Sequence, residues 1–291
     1  MTLPPLDIPT ILQRYNLRPD KRLGQNFLID QSALEGVIEA ADVQKSDVVL
    51  EIGAGVGSLT RLLAIHARNV LAVELDSKLI PPLEEVISGF QNVEIIQGDI
   101  LRLNLNQLMN ISGFLVVANI PYYITSTLIR NLLETIRPPK RLVLTLQCEV
   151  AERICASPGK MSVLALSVQV YGKPDIMSYI PSAAFYPQPN VDSAILRIDR
   201  YLEPQIPIGL IPTFFRLVKA GFSQKRKTLR NSMAGGMRWK PAQSEAILYQ
   251  SGINSIRRAE TLSLEEWGEL ADIVNKLENE ATLKLNSNNG S

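Results

Sequence analysis

One histidine and two cysteines in 291 residues leave little room for several kinds of chemistry. His66, in Ala64-Ile65-His66-Ala67-Arg68, reads as a solvated helix end, so catalysis through a histidine base is not expected. Cys148 and Cys155 lie seven residues apart with no histidine nearby. They form neither a disulfide framework nor a zinc site, and read as reduced packing residues. No metal is expected. No apolar run approaches the roughly 20 residues that span a bilayer. Residues 1 to 20 lack both a charged-then-apolar signal pattern and a Ser/Arg-rich transit composition. The expectation is a cytoplasmic protein that contacts no membrane.

What is present is an ordinary globular composition, 46% hydrophobic and 20% charged, long enough for two domains. The net charge of +1 conceals an uneven distribution. Arg216, Lys219, Lys225, Arg226, Lys227, Arg230, Arg238 and Lys240 fall in one stretch that holds no acidic residue. A block of one sign beside Phe222 and Trp239 suits a polyanion, whereas a merely solvated helix face would carry carboxylates among its lysines.

The chain is organised around residues 48 to 60. Val48 to Ile52 reads as a buried strand, followed by three alternating glycines, Gly53, Gly55 and Gly57, and then by a helical pattern from Leu59. A glycine turn between strand and helix lets backbone approach a ligand closely. The alternative is a tight turn with no ligand. A predicted helix over about residues 31–41 precedes this unit, and further apolar strands, Val70–Val73, Val93–Ile96, Phe114–Ala118 and Leu142–Leu146, are separated by helix-like or looped segments that include residues 77–88 and 125–136. That alternation predicts an α/β fold with a mostly parallel, doubly wound sheet, whose ligands bind at the carboxyl ends of its strands. Residues 1 to 20 read as a loosely held arm. The run Met161–Tyr171 fits helix and strand equally. Two strand-like stretches, Ile176–Ile180 and Ser193–Ile198, flank a proline-punctuated loop. Domains are expected at 1–204 and 205–280, the second all helical with a basic helix over Gln224–Met233, and a disordered tail at 281–291.

The strand ends gather polar groups: the glycines, then Glu74, Asp99 and Asn119. Glu74, 21 residues after Gly53, suits hydrogen bonds from both ribose hydroxyls of a cofactor, and Asp99 one from an adenine amine. The glycine spacing is one residue short of the G-x-G-x-x-G of NAD-binding proteins, which favours S-adenosylmethionine. In Asn119-Ile120-Pro121-Tyr122 the Asn119 amide oxygen and the Ile120 carbonyl suit the two protons of an adenine N6 amine. Pro121 fixes φ and removes a competing donor. Tyr122 is placed to stack on the base, for about 1–3 kcal/mol. A plain turn after a strand is the other reading of this tetrapeptide. Phe185 either covers the second face of an extruded base or anchors its loop in the core.

Lys21-Arg22-Leu23-Gly24-Gln25-Asn26-Phe27-Leu28, the Glu51–Gly57 loop, Val73-Glu74-Leu75-Asp76, Gly98-Asp99-Ile100, Asn119–Tyr123 and Pro187–Ala194 occur in an order that resembles the ribosomal RNA adenine dimethyltransferases. The likeness spans about residues 20 to 275 and lies nearest the type acting on small-subunit RNA. It implies a Rossmann-like S-adenosylmethionine-dependent methyltransferase domain with a small all-helical C-terminal domain. The implied reaction is N6,N6-dimethylation of two adjacent adenosines near the 3′ end of 16S-type rRNA, with the small ribosomal subunit as partner and a monomer as the working form. Asn26, Leu28, Gly53, Glu74, Asp99 and Asn119 match the family's cofactor positions, and Gln25 and Gly55 of the same motifs complete the set. Asn119, Pro121, Tyr122 and Phe185 match its target-adenine pocket. Tyr123 departs from the asparagine many relatives carry. A non-catalytic rRNA- or DNA-binding relative and a 23S rRNA adenine methyltransferase remain as alternatives.

Overall fold

The computed structural model describes residues 3–120 and 125–288, with side chains described through residue 280. Among the described residues nine strands occur in chain order: β1 Phe27–Leu28, β2 Val48–Ile52, β3 Asn69–Glu74, β4 Val93–Gln97, β5 Leu115–Asn119, β6 Arg141–Gln147, β7 Gly172–Ile180, β8 Phe185–Tyr186 and β9 Ser193–Arg200. Seven form one sheet in the order β4-β3-β2-β5-β6-β9-β7. The strands from β4 to β6 are parallel, while β9 runs antiparallel to both its neighbours. Central strands read as continuous apolar runs because helices cover both their faces; Leu115–Ala118 and Leu142–Thr145 are buried throughout.

The chain leaves β2 toward β3 and β4, then returns to the other side of β2 for β5 and β6. That reversal puts the topological switch between β2 and β5, where Ile52 lies opposite Ala118. Such a sheet opens a crevice at this point, beyond the carboxyl ends of its strands. The glycine loop and Asn119 are the residues that follow and end those two strands.

Two compact units are present: the chain up to Glu152 with Gly172–Tyr201, and Arg153–Tyr171 with the chain from Leu202 onward. This differs from a contiguous division after residue 204, because Arg153–Tyr171 joins the second unit. Its turn is tied there by the Glu260 carbonyl, which accepts from the Gly159 and Met161 amides at 2.9 and 3.1 Å. Within the ambiguous run, Val163–Gln169 is a helix capped by the Ser162 hydroxyl.

Three local expectations change. The arm contains a helix, Ile8–Arg14, whose Ile8, Ile11 and Leu12 are buried with Phe27, Val56 and Leu79. The basic Lys225–Lys227 lies in a turn, because the helix begins only at Leu229, after its N-cap Thr228. The last helix, Leu264–Asn288, continues through positions expected to be a disordered tail. It starts with a reciprocal capping box: Ser263 Oγ accepts from the Glu266 amide at 3.2 Å, and the Glu266 carboxylate accepts from the Ser263 amide at 2.8 Å.

Candidate active site

The glycine loop is held against the end of β3, where the Val73 carbonyl accepts from the Gly53 amide at 2.9 Å. Gly53 has φ +80°, and a Cβ there would stand 3.0 Å from the Asn119 carbonyl oxygen. Only glycine combines that left-handed backbone with so close an approach. Gly55, at φ +59°, meets the Phe27 ring in the same way, at 3.1 Å. The loop is thus pressed between the end of β5 and the N-terminal segment.

Glu74 is buried, and both its oxygens are engaged. Oε2 accepts from the Gly55 amide and Oε1 from the Asp76 amide, each at 2.8 Å. Burial pushes its pKa up, and the backbone donors at Asp76 and Gly55 offset part of that rise. Each oxygen keeps one further lone pair for a ligand hydroxyl. Asp99, about one-third exposed, accepts from the Leu101 amide at 3.0 Å and lies 3.4 Å from Arg102.

Asn119 Nδ2 donates to the Asn26 carbonyl at 3.0 Å. With the amide nitrogen committed there, the orientation of the side chain is fixed and Oδ1 remains an acceptor. Gln25 is a clasp: its Oε1 accepts from the Asp20 amide at 2.7 Å, and its Nε2 donates to Asp76 Oδ2 at 2.9 Å. One short segment therefore touches both ends of the site, Asn119 through Asn26 and the Glu74 neighbourhood through Gln25. It is positioned from far along the chain, since β1 pairs with β8, Phe27 opposite Tyr186 and Leu28 opposite Phe185.

These groups line a hollow of about 160 Å³. Of the expected cofactor residues, Gln25, Asn26, Gly53, Gly55, Glu74, Asp99 and Asn119 line it. Leu28 does not; it is 5% exposed and packs in the core beneath. Phe185 is 4% exposed in the same cluster, so it stands on the loop-anchor side of its two readings. Pro121, Tyr122 and Tyr123 lie outside the described residues. Sequence reasoning passed over Leu75 and Ile100, which also line the hollow. The signal was there: each strand-end carboxylate is followed at once by an apolar residue, as a flat ring with polar edges requires.

A family model for ribosomal RNA adenine dimethylase matches residues 16–276. The chain belongs to that family. Among curated members of the dimethylase family, it is 40% identical over 273 residues to the ribosomal RNA small subunit methyltransferase A of Alkaliphilus oremlandii (strain OhILAs), covering 91% of this chain and 95% of that one. It is 43% identical over 264 residues to the protein of the same description from Dehalococcoides mccartyi (strain CBDB1), covering 89% and 90%. Among solved structures it resembles a dimethyladenosine transferase from Plasmodium falciparum (TM-score 0.73, 26% identity, 86% of this chain and 98% of that one). The 23S rRNA methyltransferase ErmE is similar too (TM-score 0.70, 28% identity, 86% and 100%).

Proposed function

We propose that this chain transfers methyl groups from S-adenosylmethionine to the N6 amines of two adjacent adenosines near the 3′ end of 16S-type rRNA, acting as a single chain on the small ribosomal subunit. The observation that carries the reading is the approach of Gly53 to Asn119, which brings the glycine loop and the amine-binding side chain to one rim. The hollow suits the adenosyl cofactor. Buried Glu74 would accept from its ribose hydroxyls and Asp99 from its adenine amine, with Leu75 and Ile100 lining the hollow beside the ring and Gly53 and Gly55 forming its backbone wall. The cofactor supplies a methyl group already activated on a sulfonium.

The chain's own task is to make a poor nucleophile reactive and to align it. Asn119 Oδ1 accepts one N6 proton, and the Ile120 carbonyl accepts the other. That pair favours a pyramidal nitrogen whose lone pair leaves the ring system. Asn119 orients the amine and does not act as its base; the nitrogen, cationic once the methyl–sulfur bond has broken, is acidic enough to release its proton to water, so no histidine is needed. Alignment can supply about 7–11 kcal/mol in favourable cases. Pro121 and Tyr122 keep the roles their sequence positions suggest, a fixed turn and a stacking surface. Phe185 supports the site by holding β8, and through β1 it holds Asn26.

Asn119→Ala is expected to lower the methylation rate by two orders of magnitude or more, while calorimetric S-adenosylmethionine affinity changes by less than about threefold. Near-normal turnover in that variant excludes the hydrogen-bonding role. Tritiated methyl transfer to isolated small subunits, compared with naked 23S rRNA, tests the substrate. Preference for 23S rRNA would place the chain with the ErmE-like enzymes instead.

A further inference from the structure

The second unit contains a hollow of its own, about 220 Å³, lined by Arg153, Lys160, Lys225 and Lys227 and by Met161 and Phe222. Among the described residues, none of these four cations is in an ion pair. The carboxylate of the lining, Glu260, lies 3.9 Å from Arg258.

Its walls are held by hydrogen bonds and ring packing. Lys160 projects from the turn whose flanking amides, Gly159 and Met161, both donate to the Glu260 carbonyl. Phe222 ends the helix Ile211–Phe222, and its ring stacks on Trp267 with centroids 6.0 Å apart and planes 28° from parallel. Trp267 is fully buried, and a Cβ at Gly221 would run into its ring. The glycine therefore lets the tryptophan come in under Phe222. Met161 is buried as well. Lys225 and Lys227 ride the turn between two helices, pinned where the Gln224 carbonyl accepts from the Lys227 amide at 3.0 Å.

Unpaired cations around an apolar, aromatic-backed hollow recognise a phosphate joined to a flat ring. We propose that this hollow is a socket for one unpaired nucleotide of the RNA substrate, its phosphates held by Lys160, Arg153 and the Lys225–Lys227 turn and its base lying against Phe222 and Met161. The inference rests on the RNA reading above. It adds a second holding point for single-stranded RNA, built within the helical unit and separate from the pocket that methylates.

The two parts of the socket leave different signatures. Binding of the full-length chain to purified unmethylated small subunits is measured over a series of salt concentrations. Lys160→Glu should weaken binding about tenfold and lower the slope of log K against log salt by about one, because a phosphate contact is lost. Phe222→Leu should weaken binding about tenfold with the slope unchanged, because stacking releases no counterions. Zero-length ultraviolet cross-linking should place an RNA nucleotide on the peptides carrying Met161 or Phe222. Calorimetric binding of S-adenosylmethionine and a melting curve monitor folding; if Phe222→Leu unfolds, the Lys160→Glu slope and the cross-link decide. If both variants bind as wild type and cross-links fall outside 153–162 and 221–227, the socket is refuted while the RNA reading stands. If wild type binds no small subunits, the RNA reading fails and the socket with it.

Discussion

Glu51 shows how far one residue can depart from its solution behaviour. It faces the interior from β2 at 1% exposure, and its Oε2 has no hydrogen-bond partner among the described residues. Burial pushes its pKa from 4.5 to about 8, and the neighbouring Glu74 charge adds to the rise. Glu51 therefore carries its proton at neutral pH. A folded-state value above the unfolded one gives a contribution to stability that is full below about pH 4.5 and is lost as the pH rises through about 8. At about 1.4 kcal/mol per unit, the whole loss is on the order of 5 kcal/mol. Glu51→Gln, similar in shape and neutral throughout, should match wild type near pH 4, grow steadily more stable than it up to about pH 8 and keep that lead above it. Urea denaturation at several pH values measures the gap; parallel curves would mean that the wild-type carboxyl ionises without penalty.

At the scale of elements, the two-residue pair of β1 and β8 decides where Asn26 sits. Leu28 and Phe185 face each other in register and share one buried cluster with Ala184, whose carbonyl accepts from the Ile29 amide at 2.9 Å. If Phe185 acts as an anchor, its size matters and its aromatic face does not. Phe185→Leu should then cost less than about 1.5 kcal/mol and keep most of the turnover, whereas Phe185→Ala should cost about 3–5 kcal/mol. Chemical denaturation and initial rates separate the two roles, since a stable Phe185→Leu protein with little turnover would show that the ring meets the base. This pairing was illegible in the sequence, because two-residue strands carry no period and their partners are set by tertiary contacts. By contrast, the helix Gln31–Ala41 was legible to the residue. Asp30 caps it, accepting from the Ala33 amide at 2.8 Å, and Leu34, Val37 and Ala41 share its buried face. The arm helix Ile8–Arg14 was missed, since seven residues with a proline at the second position stand only by packing against Phe27, Val56 and Leu79.

Over the whole molecule, charge is divided by task. The methyltransferase pocket is lined by the carboxylates Glu74 and Asp99, which suits a cationic ligand, while the basic stretch lies in the second unit. Strand-end motifs made that pocket legible, because a parallel sheet turns sequence order into spatial order. The capture of Arg153–Tyr171 by the second unit was not legible, since it depends on hydrogen bonds to a carbonyl a hundred residues away. The basic stretch itself divides in the structure: Arg216 pairs with Glu278 at 2.6 Å and Arg230 with Glu245 at 3.2 Å. Lys225, Arg226 and Lys227 have no ion-pair partner among the described residues and are exposed. Charges already neutralised release few counterions, so the salt dependence of RNA binding should rest on the unpaired group. Replacing Lys225, Arg226 and Lys227 together with Gln is expected to lower the slope of log K against log salt by about two to three, while S-adenosylmethionine affinity stays at the wild-type value. Replacing Arg216 and Arg230 with Gln is expected to change that slope by less than about one. Filter binding of small subunits across a salt series compares the two variants, and equal slopes would mean that the ion pairs seen here do not discriminate between the cations.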